Sequence, residues 1–385
     1  MHIHAPSRTV GVRLAVTAAV LSVLAGACGS PTNSAAPTPS TGSAAIAPVD
    51  GVRQAQSGAR NDTGRSVSPL LTAAAVPPPL TAPTGTDTGR FPGGLLIADR
   101  GNGRLLVVSS TGRPLWRFPT TGSLPRGQGF AADDAFLAPD GRSIVANDEG
   151  HHVVDRIDIA TRRIVWQYGH YGTPGRGAGY LNTPDDAYPL ANGDVVVADI
   201  RNCRVIEIAP TKQIVRQWGR TGVCVPSAPN AYGSPNGDTP LPDGGLLITE
   251  IRGSRVVRLS ATGKVLFDIH VPVAYPSDAH LDARGNVIVA DYSTIGAVVA
   301  VTPHGHLLWR YAPTTGNGRL NHPSLAVPMP NGTIVVNDDF RARVVVIDPT
   351  SMRIVWQYGR TGVPGRGPNQ LSDPDGVDPL PATGL

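Results

Sequence analysis

One short motif returns six times along the chain: LLIAD (95–99), SIVAN (143–147), VVVAD (195–199), LLITE (246–250), VIVAD (287–291) and IVVND (334–338). Its last residues, Asp99, Asn147, Asp199, Glu250, Asp291 and Asp338, lie 48, 52, 51, 41 and 47 positions apart. A repeat of this size cannot bury its apolar face alone and must stack on copies of itself. In four copies an arginine follows five positions after the acid, giving Asp99 with Arg104, Asp199 with Arg204, Glu250 with Arg255 and Asp338 with Arg343. Spacing alone does not establish that they pair.

Each motif is followed by a second Val/Ile-rich run, such as RVIEI (204–208) or RVVVI (343–347), and by a third that carries aromatic residues, such as PLWRF (114–118) or IVWQY (354–358). After a Gly/Pro loop a proline opens a further run, and in PDDAYPLANG (184–193), PNGDTPLPDG (235–244), PSDAHLDARG (276–285) and PSLAVPMPNG (323–332) proline and turn glycine stand nine residues apart. Short apolar runs bounded by tight-turn residues read as strands and hairpins. Four strands per unit and six units predict an all-β fold, a six-bladed β-propeller over residues 91–385.

The ends of this region complete each other. GGLLIAD (93–99) is a second strand whose first is missing, and PDGVDPLPATGL (374–385) is a first strand with nothing after it. The ring is therefore expected to be closed by the C-terminal strand joining the N-terminal blade, which removes two exposed sheet edges.

The glycines of IVWQYGRTGVPGRG (354–367) invite comparison with loops that cradle phosphate, and IVWQYGHYGTPGRG (164–177) nearly duplicates them. A phosphate cradle needs a strand feeding a helix whose amino end faces the anion. These strands feed another strand instead, so the glycines are read as the crossing from one blade to the next. The formal charge of +4 is carried almost wholly by scattered arginines, lysine occurring only at Lys212 and Lys264. No basic stripe interleaved with aromatics is present, which argues against nucleic acid as a partner.

Ahead of the repeats, residues 14–27 form an apolar run after Arg8 and Arg13, too short to span a bilayer but suited to a signal peptide. LAGAC (24–28) resembles the lipobox of bacterial lipoproteins, although Leu24 lies four residues before the cysteine and Ala25 three before. The resemblance implies cleavage of residues 1–27 and lipidation of Cys28, anchoring the chain to the outer face of the cytoplasmic membrane; ordinary secretion is the alternative. Residues 28–90, rich in Pro, Ala, Ser and Thr, cannot bury enough apolar surface to offset ordering and are read as a disordered tether.

Within the repeats, PLANGDVVVADIRNCRVIEIAPTKQIVRQWG (189–219) resembles an NHL-type repeat, and the tryptophan-bearing third strands resemble those of quinoprotein-like and arylsulfotransferase-like propellers. The resemblance implies a loop-rich functional face but fixes no activity. On such a face Cys203 and Cys224 belong to two loops of one blade. Export favours a disulfide between them, worth roughly 3 kcal/mol in the chain-entropy model.

Where the long loop enters the innermost strand, two columns of residues converge on the axis: Asp133, Asp185, Asn236, Ser277, Ser324 and Asp375, followed by Asp134, Asp186, Gly237, Asp278, Leu325 and Gly376. Asp134, Asp186 and Asp278 are candidates for a central metal site, with Ca²⁺ as the possible ion, or for a site holding a cationic ligand. The competing reading has these aspartates capping turns through backbone amides. His280, in the column of Phe136 and Tyr188, is a candidate acid or base at the mouth. Arg126, Arg176, Arg220, Arg360 and Arg366 recur on rim loops and either face water or attract an anion.

Two functions stay open. One is a monomeric extracytoplasmic binding module for a protein or small-molecule ligand, touching the membrane only through its lipid anchor. The other is a metal-dependent hydrolase or lyase of the NHL or lactonase type, with an arylsulfotransferase-like enzyme behind it because the required histidine and arginine positions are not matched. Whether the chain catalyses anything is undecided by its sequence.

Overall fold

The computed structural model describes residue 91 and residues 93–385. Cys28, the leader and the tether lie outside the described residues. Six antiparallel sheets form the blades of a propeller. Blade 1 contains β1 (Leu95–Asp99), β2 (Arg104–Val108) and β3 (Pro114–Phe118); blade 2 contains β4 (Ala135–Leu137), β5 (Ser143–Asp148), β6 (Val153–Asp158) and β7 (Arg163–Gly169). Blade 3 contains β8 (Pro184–Pro189), β9 (Val195–Asp199), β10 (Arg204–Ile208) and β11 (Ile214–Trp218). Blade 4 is the least regular, with β12 (Leu246–Glu250), β13 (Arg255–Leu259) and β14 (Val265–His270), its inner segment joined to β12 by isolated bridges from Pro235 to Glu250 and from Pro240 to Leu246 and by backbone bonds such as that from Thr249 N–H to the Gly237 carbonyl. Blade 5 contains β15 (Pro276–Leu281), β16 (Val287–Asp291), β17 (Ala297–Val301) and β18 (Leu307–Tyr311); blade 6 contains β19 (Ala326–Pro328), β20 (Ile334–Asp338), β21 (Arg343–Asp348) and β22 (Arg353–Gly359).

β23 (Pro374–Pro379) completes blade 1. It pairs with β1, Leu95 opposite Pro379 and Ile97 opposite Val377, so the ring closes as the split repeat requires. The middle strands are buried on both faces because each blade is sandwiched by two others; VVVAD at β9 and VIVAD at β16 are buried throughout. The apolar core accordingly lies between blades: Leu95 and Ile97 of blade 1 pack with Val335 and Val344 of blade 6, and Val145 of blade 2 with Val195 and Val197 of blade 3.

All four acid–arginine pairs form. Arg104 Nε lies 2.6 Å from Asp99 Oδ2, Arg204 Nε 2.8 Å from Asp199 Oδ2, Arg255 Nη1 3.1 Å from Glu250 Oε2 and Arg343 Nε 2.7 Å from Asp338 Oδ2. The acid faces its arginine directly across the hairpin in each case. The remaining oxygen accepts a backbone N–H from the incoming loop, as Asp199 Oδ1 does from Asn182 and Asp338 Oδ1 from Asn321. Blade 2 corrects the sequence alignment. β5 runs one residue further, and Asp148, not Asn147, accepts the corresponding N–H, from Ala131 at 3.0 Å. Asn147 belongs to the position before the acid.

That position alternates around the ring. Ala98, Ala198 and Ala290 occupy it in blades 1, 3 and 5, and Asn147, Thr249 and Asn337 in blades 2, 4 and 6. The polar three reach the next blade: Asn147 donates to the Pro184 carbonyl, Thr249 to that of Ser277 and Asn337 to that of Pro374. On the circumference, Trp116 Nε1 donates to the Ile159 carbonyl, Trp166 to Pro210 and Trp356 to Ser110, each one blade on. In blade 3 Arg216 stands where blades 1, 2, 5 and 6 have tryptophan and blade 4 has Phe267, and it makes the same bond, to Ala261 at 2.8 Å. The tryptophans that mark the third strands are thus hydrogen-bond donors between blades. In blade 5 the counterpart, Trp309, instead borders an open cleft of about 540 Å³ with Ile288, Ile334 and Pro349.

Candidate functional site

In a regular strand adjacent side chains point to opposite faces. The innermost strands break this rule at their first turn. The register of β8 shifts between Asp185 and Ala187, that of β15 between Pro276 and Ala279, and β1 opposes Gly376 and then Pro374 across β23. A bulge places two residues against one and re-aims the extra side chain. Consecutive residues therefore both reach the axis, and the two sequence columns become two stacked levels.

The outer level is the first column, intact. Asp133, Asp185, Asn236, Ser277, Ser324 and Asp375 line one axial cavity of about 80 Å³. Arg100, Glu149, Tyr275 and Tyr292 complete its wall. Sequence reasoning missed these four. Arg100, Glu149 and Tyr292 each directly follow the repeat's acid (Asp99, Asp148, Asp291), a position that holds Ile200, Ile251 and Asp339 in the other blades, so no shared residue type marks it.

The inner level holds Asp134, Asp186 and Asp278, all buried. Two glycines of the same column make room for them. A Cβ on Gly237 would lie 2.5 Å from Asp278 Oδ1 and 3.1 Å from Asp186 Oδ2, and one on Gly376 only 2.6 Å from the Asp134 Cα. Asp238, fully buried beside them, has no hydrogen-bond partner on either oxygen, and Asp134 Oδ1 and Asp186 Oδ2 have none either. His280 Nε2 lies 2.7 Å from Asp278 Oδ2. Phe136 and Tyr188, in the histidine's column, stack with centroids 3.8 Å apart.

Arg100 is the one arginine ion-paired to this cluster among the described residues. It reaches Asp133 and, at 2.6 Å, Asp375 through Nη1, and Glu149 at 2.8 Å through Nη2. Burial disfavours its charge, but Asp133, Asp375 and Glu149 outweigh that and push its pKa above the usual value. Asp375 is held below the ordinary carboxylate range despite burial, chiefly by Arg100. The other acids are driven the opposite way. Burial, then Glu149, pushes Asp185 up to about 8. Burial raises Asp133, with Asp375 adding to it; Asp134, with Asp185; Asp186, with Asp278; and Asp238, with Asp278. More carboxylates share the axis than the positive charges beside them can neutralise.

The residues named from sequence as one metal site are thus all in the cluster, but the tightest convergence is another. Oxygens of Asp133, Asp134 and Asp185 all lie within 4.8 Å of one another. Asp186 and Asp278 stand next to them, and the charge of Asp278 adds to the rise of the Asp134 carboxyl. Arg126, Arg176, Arg220, Arg360 and Arg366 are exposed on the rim loops and line no part of the axial cavity; Arg366 instead borders a groove on the circumference beside Leu115 and Trp116. Cys203 and Cys224 form a disulfide with Cα atoms 5.2 Å apart, closing the two loops of blade 3. The bond joins loops and touches none of the axial residues.

No protein-family model matches the chain, and no curated protein matches its sequence. Among solved structures it is similar to a protein of unknown function from Bacteroides caccae, at 15% identity and a TM-score of 0.53 over 74% of this chain and 97% of that one. It is also similar to a catalytically inactive virginiamycin B lyase from Staphylococcus aureus solved with quinupristin, at 17% identity and a TM-score of 0.44 over 60% of this chain and 71% of that one. A streptogramin B lyase matches at 15% identity and a TM-score of 0.44, over 60% of this chain and 70% of that one. At these identities the likeness is one of fold alone.

Proposed function

We propose that the chain is an exported binding module that takes up a cation at the axis of its propeller. The observation that carries this reading is the excess of buried carboxylate at the two axial levels, above all the unpartnered oxygens of Asp134, Asp186 and Asp238. A buried, unpaired carboxylate is penalised by several kcal/mol and either takes a proton or finds a cation. The raised pKa values of Asp133, Asp134, Asp185 and Asp186 describe the first response. A bound cation is the second, and it would return these groups to their ionised form.

Export is supported by the Cys203–Cys224 disulfide, which suits an oxidising compartment, and by the LAGAC run at 24–28. In this reading residues 1–27 are removed, Cys28 carries the lipid and residues 28–90 hold the propeller off the membrane.

Calorimetric titration of the metal-free protein with calcium chloride and with methylammonium chloride tests the reading. At least one should bind with one-to-one stoichiometry, and Asp134→Asn should weaken it tenfold or more. Heats from neither salt, or equal affinities in parent and variant, would defeat it. A second reading draws on the His280–Asp278 contact at 2.7 Å. A histidine oriented by a carboxylate is suited to general acid–base work, so a hydrolase or lyase acting at the axis is the alternative. Turnover of a lactone or ester that is abolished by His280→Gln would favour it.

A further inference from the structure

We infer that the cation the mouth is built for is an organic ammonium ion with an apolar body, its head among the axial carboxylates and its body on an aromatic wall formed by Tyr292, His322 and Phe340. The inference rests on the axial cation reading above and adds the chemistry of the ligand.

The cavity has two unlike sides. Blades 1 to 3 supply Asp133, Glu149, Asp185 and Asp375, whereas Tyr275 and Tyr292 close it from the opposite part of the ring. From Tyr292 an aromatic surface continues outward. Its ring meets His322 edge-on with centroids 4.8 Å apart, His322 lies 4.2 Å from Phe340, and Tyr275 lies 5.3 Å from Tyr292 on the other side. Phe340 ends this surface 55% exposed, in a turn directly after the buried Asp339. A hydrated metal ion has no use for such a wall. An alkylammonium or arylalkylammonium ion does, because aromatic faces attract cations through the ring quadrupole and bury its apolar part as well.

Arg100 points the same way. It is itself an organic cation, and its guanidinium already donates to Asp375 and Glu149 and is ion-paired with Asp133. A metal ion on the converging oxygens of Asp133, Asp134 and Asp185 would have to share Asp133 with that guanidinium at close range. Asp185 lines the cavity with no ion pair among the described residues, and Asp134, one oxygen of which lies within 4.8 Å of an Asp185 oxygen, carries an unpartnered Oδ1 and is only 3% exposed. These two acids are the receptors left for an ammonium head. A cavity of about 80 Å³ admits a head group and little more, so the body of the ligand must remain outside, where the wall stands.

The test titrates the full mature chain with benzylammonium, methylammonium and calcium chlorides, each at the same ionic strength. Benzylammonium should bind at least about tenfold more tightly than methylammonium, the range expected for an aromatic contact to a partly desolvated cation. Phe340→Ala, an exposed position, should bring that ratio to about two or less, with the melting temperature checked in parallel, and Asp185→Asn should weaken both amines. If the two amines bind equally, or if Phe340→Ala leaves the ratio unchanged, the inference is overturned while the axial cation reading survives on methylammonium or calcium. If none of the three salts binds, both are overturned.

Discussion

Arg343 Nε lies 2.7 Å from Asp338 Oδ2 with both side chains almost wholly withdrawn from solvent, and the same guanidinium donates to Gln357, Thr361 and the Arg319 carbonyl. It ties the inner hairpin of blade 6 to the outer strand and to the incoming loop. Breaking such a pair from one side strands the other charge. Arg343→Ala should therefore lower stability by about 3–5 kcal/mol in urea unfolding. Arg104→Ala, whose side chain is 21% exposed, should have a distinctly smaller effect. Equal effects would mean that burial does not set the strength of these pairs.

Ring closure is expected to be essential to the native state. Deleting residues 374–385 removes β23, with Val377 and Leu380 from the core, and uncovers the edge of β1. The melting temperature should fall by at least about 10 °C, from the loss of two buried apolar side chains and a strand pairing. An unchanged transition would show the strand to be dispensable.

At Gly237 a single methyl group tests the inner level from the side of Asp278. Its Cβ would sit 2.5 Å from Asp278 Oδ1 and 3.0 Å from Thr249 Oγ1. Gly237→Ala should displace the Asp278 carboxylate and weaken cation binding about tenfold in calorimetry, with a stability loss of about 1–3 kcal/mol. Unchanged affinity would place the binding wholly at the outer level.

Stability should depend on pH through Asp155. Burial pushes this carboxyl up to about 7, from an ordinary value of 3.8, although Gln167 donates to it. A carboxyl whose folded value is raised favours the native state while it is protonated. That contribution is complete below about pH 4 and is lost as pH rises through about 7. Asp155→Asn should thus stabilise the protein relative to the parent increasingly between about pH 4 and pH 7, with a constant difference above that, as read by thermal melts. A constant difference between about pH 4 and pH 7 would rule Asp155 out as the titrating group.

The periodic features were legible in the sequence because each blade restates them. The six blades, the split first blade and the disulfide pairing could all be read in advance, and the spacing of the acid–arginine pairs was visible although their contact was not. The alignment slipped at Asn147, where β5 runs one residue longer and only the hydrogen bond of Asp148 reveals the true register. The mouth was harder to see for a different reason. Arg100, Glu149 and Tyr292 share a position but no chemistry, and Arg100 meets Asp375 across 275 residues of chain. A column that varies from blade to blade is what makes a symmetric scaffold asymmetric at its centre, and it leaves no repeat to detect. The bulges that send Asp185 and Asp186 to the same axis likewise have no residue signature.

The polar residues before the acid fasten blade 2 to 3, 4 to 5 and 6 to 1, and the circumference bonds add joints from 1 to 2 and from 3 to 4. The seam between blades 5 and 6 receives neither, and the open cleft beside Trp309 lies there. Tyr292 stands on one side of that seam, His322 and Phe340 on the other. The seam is closed by apolar packing of Ile288 and Ala290 against Ile334 and Val336, and a ligand lying across those rings would act as a keystone there, adding a polar fastening to a joint that packing holds.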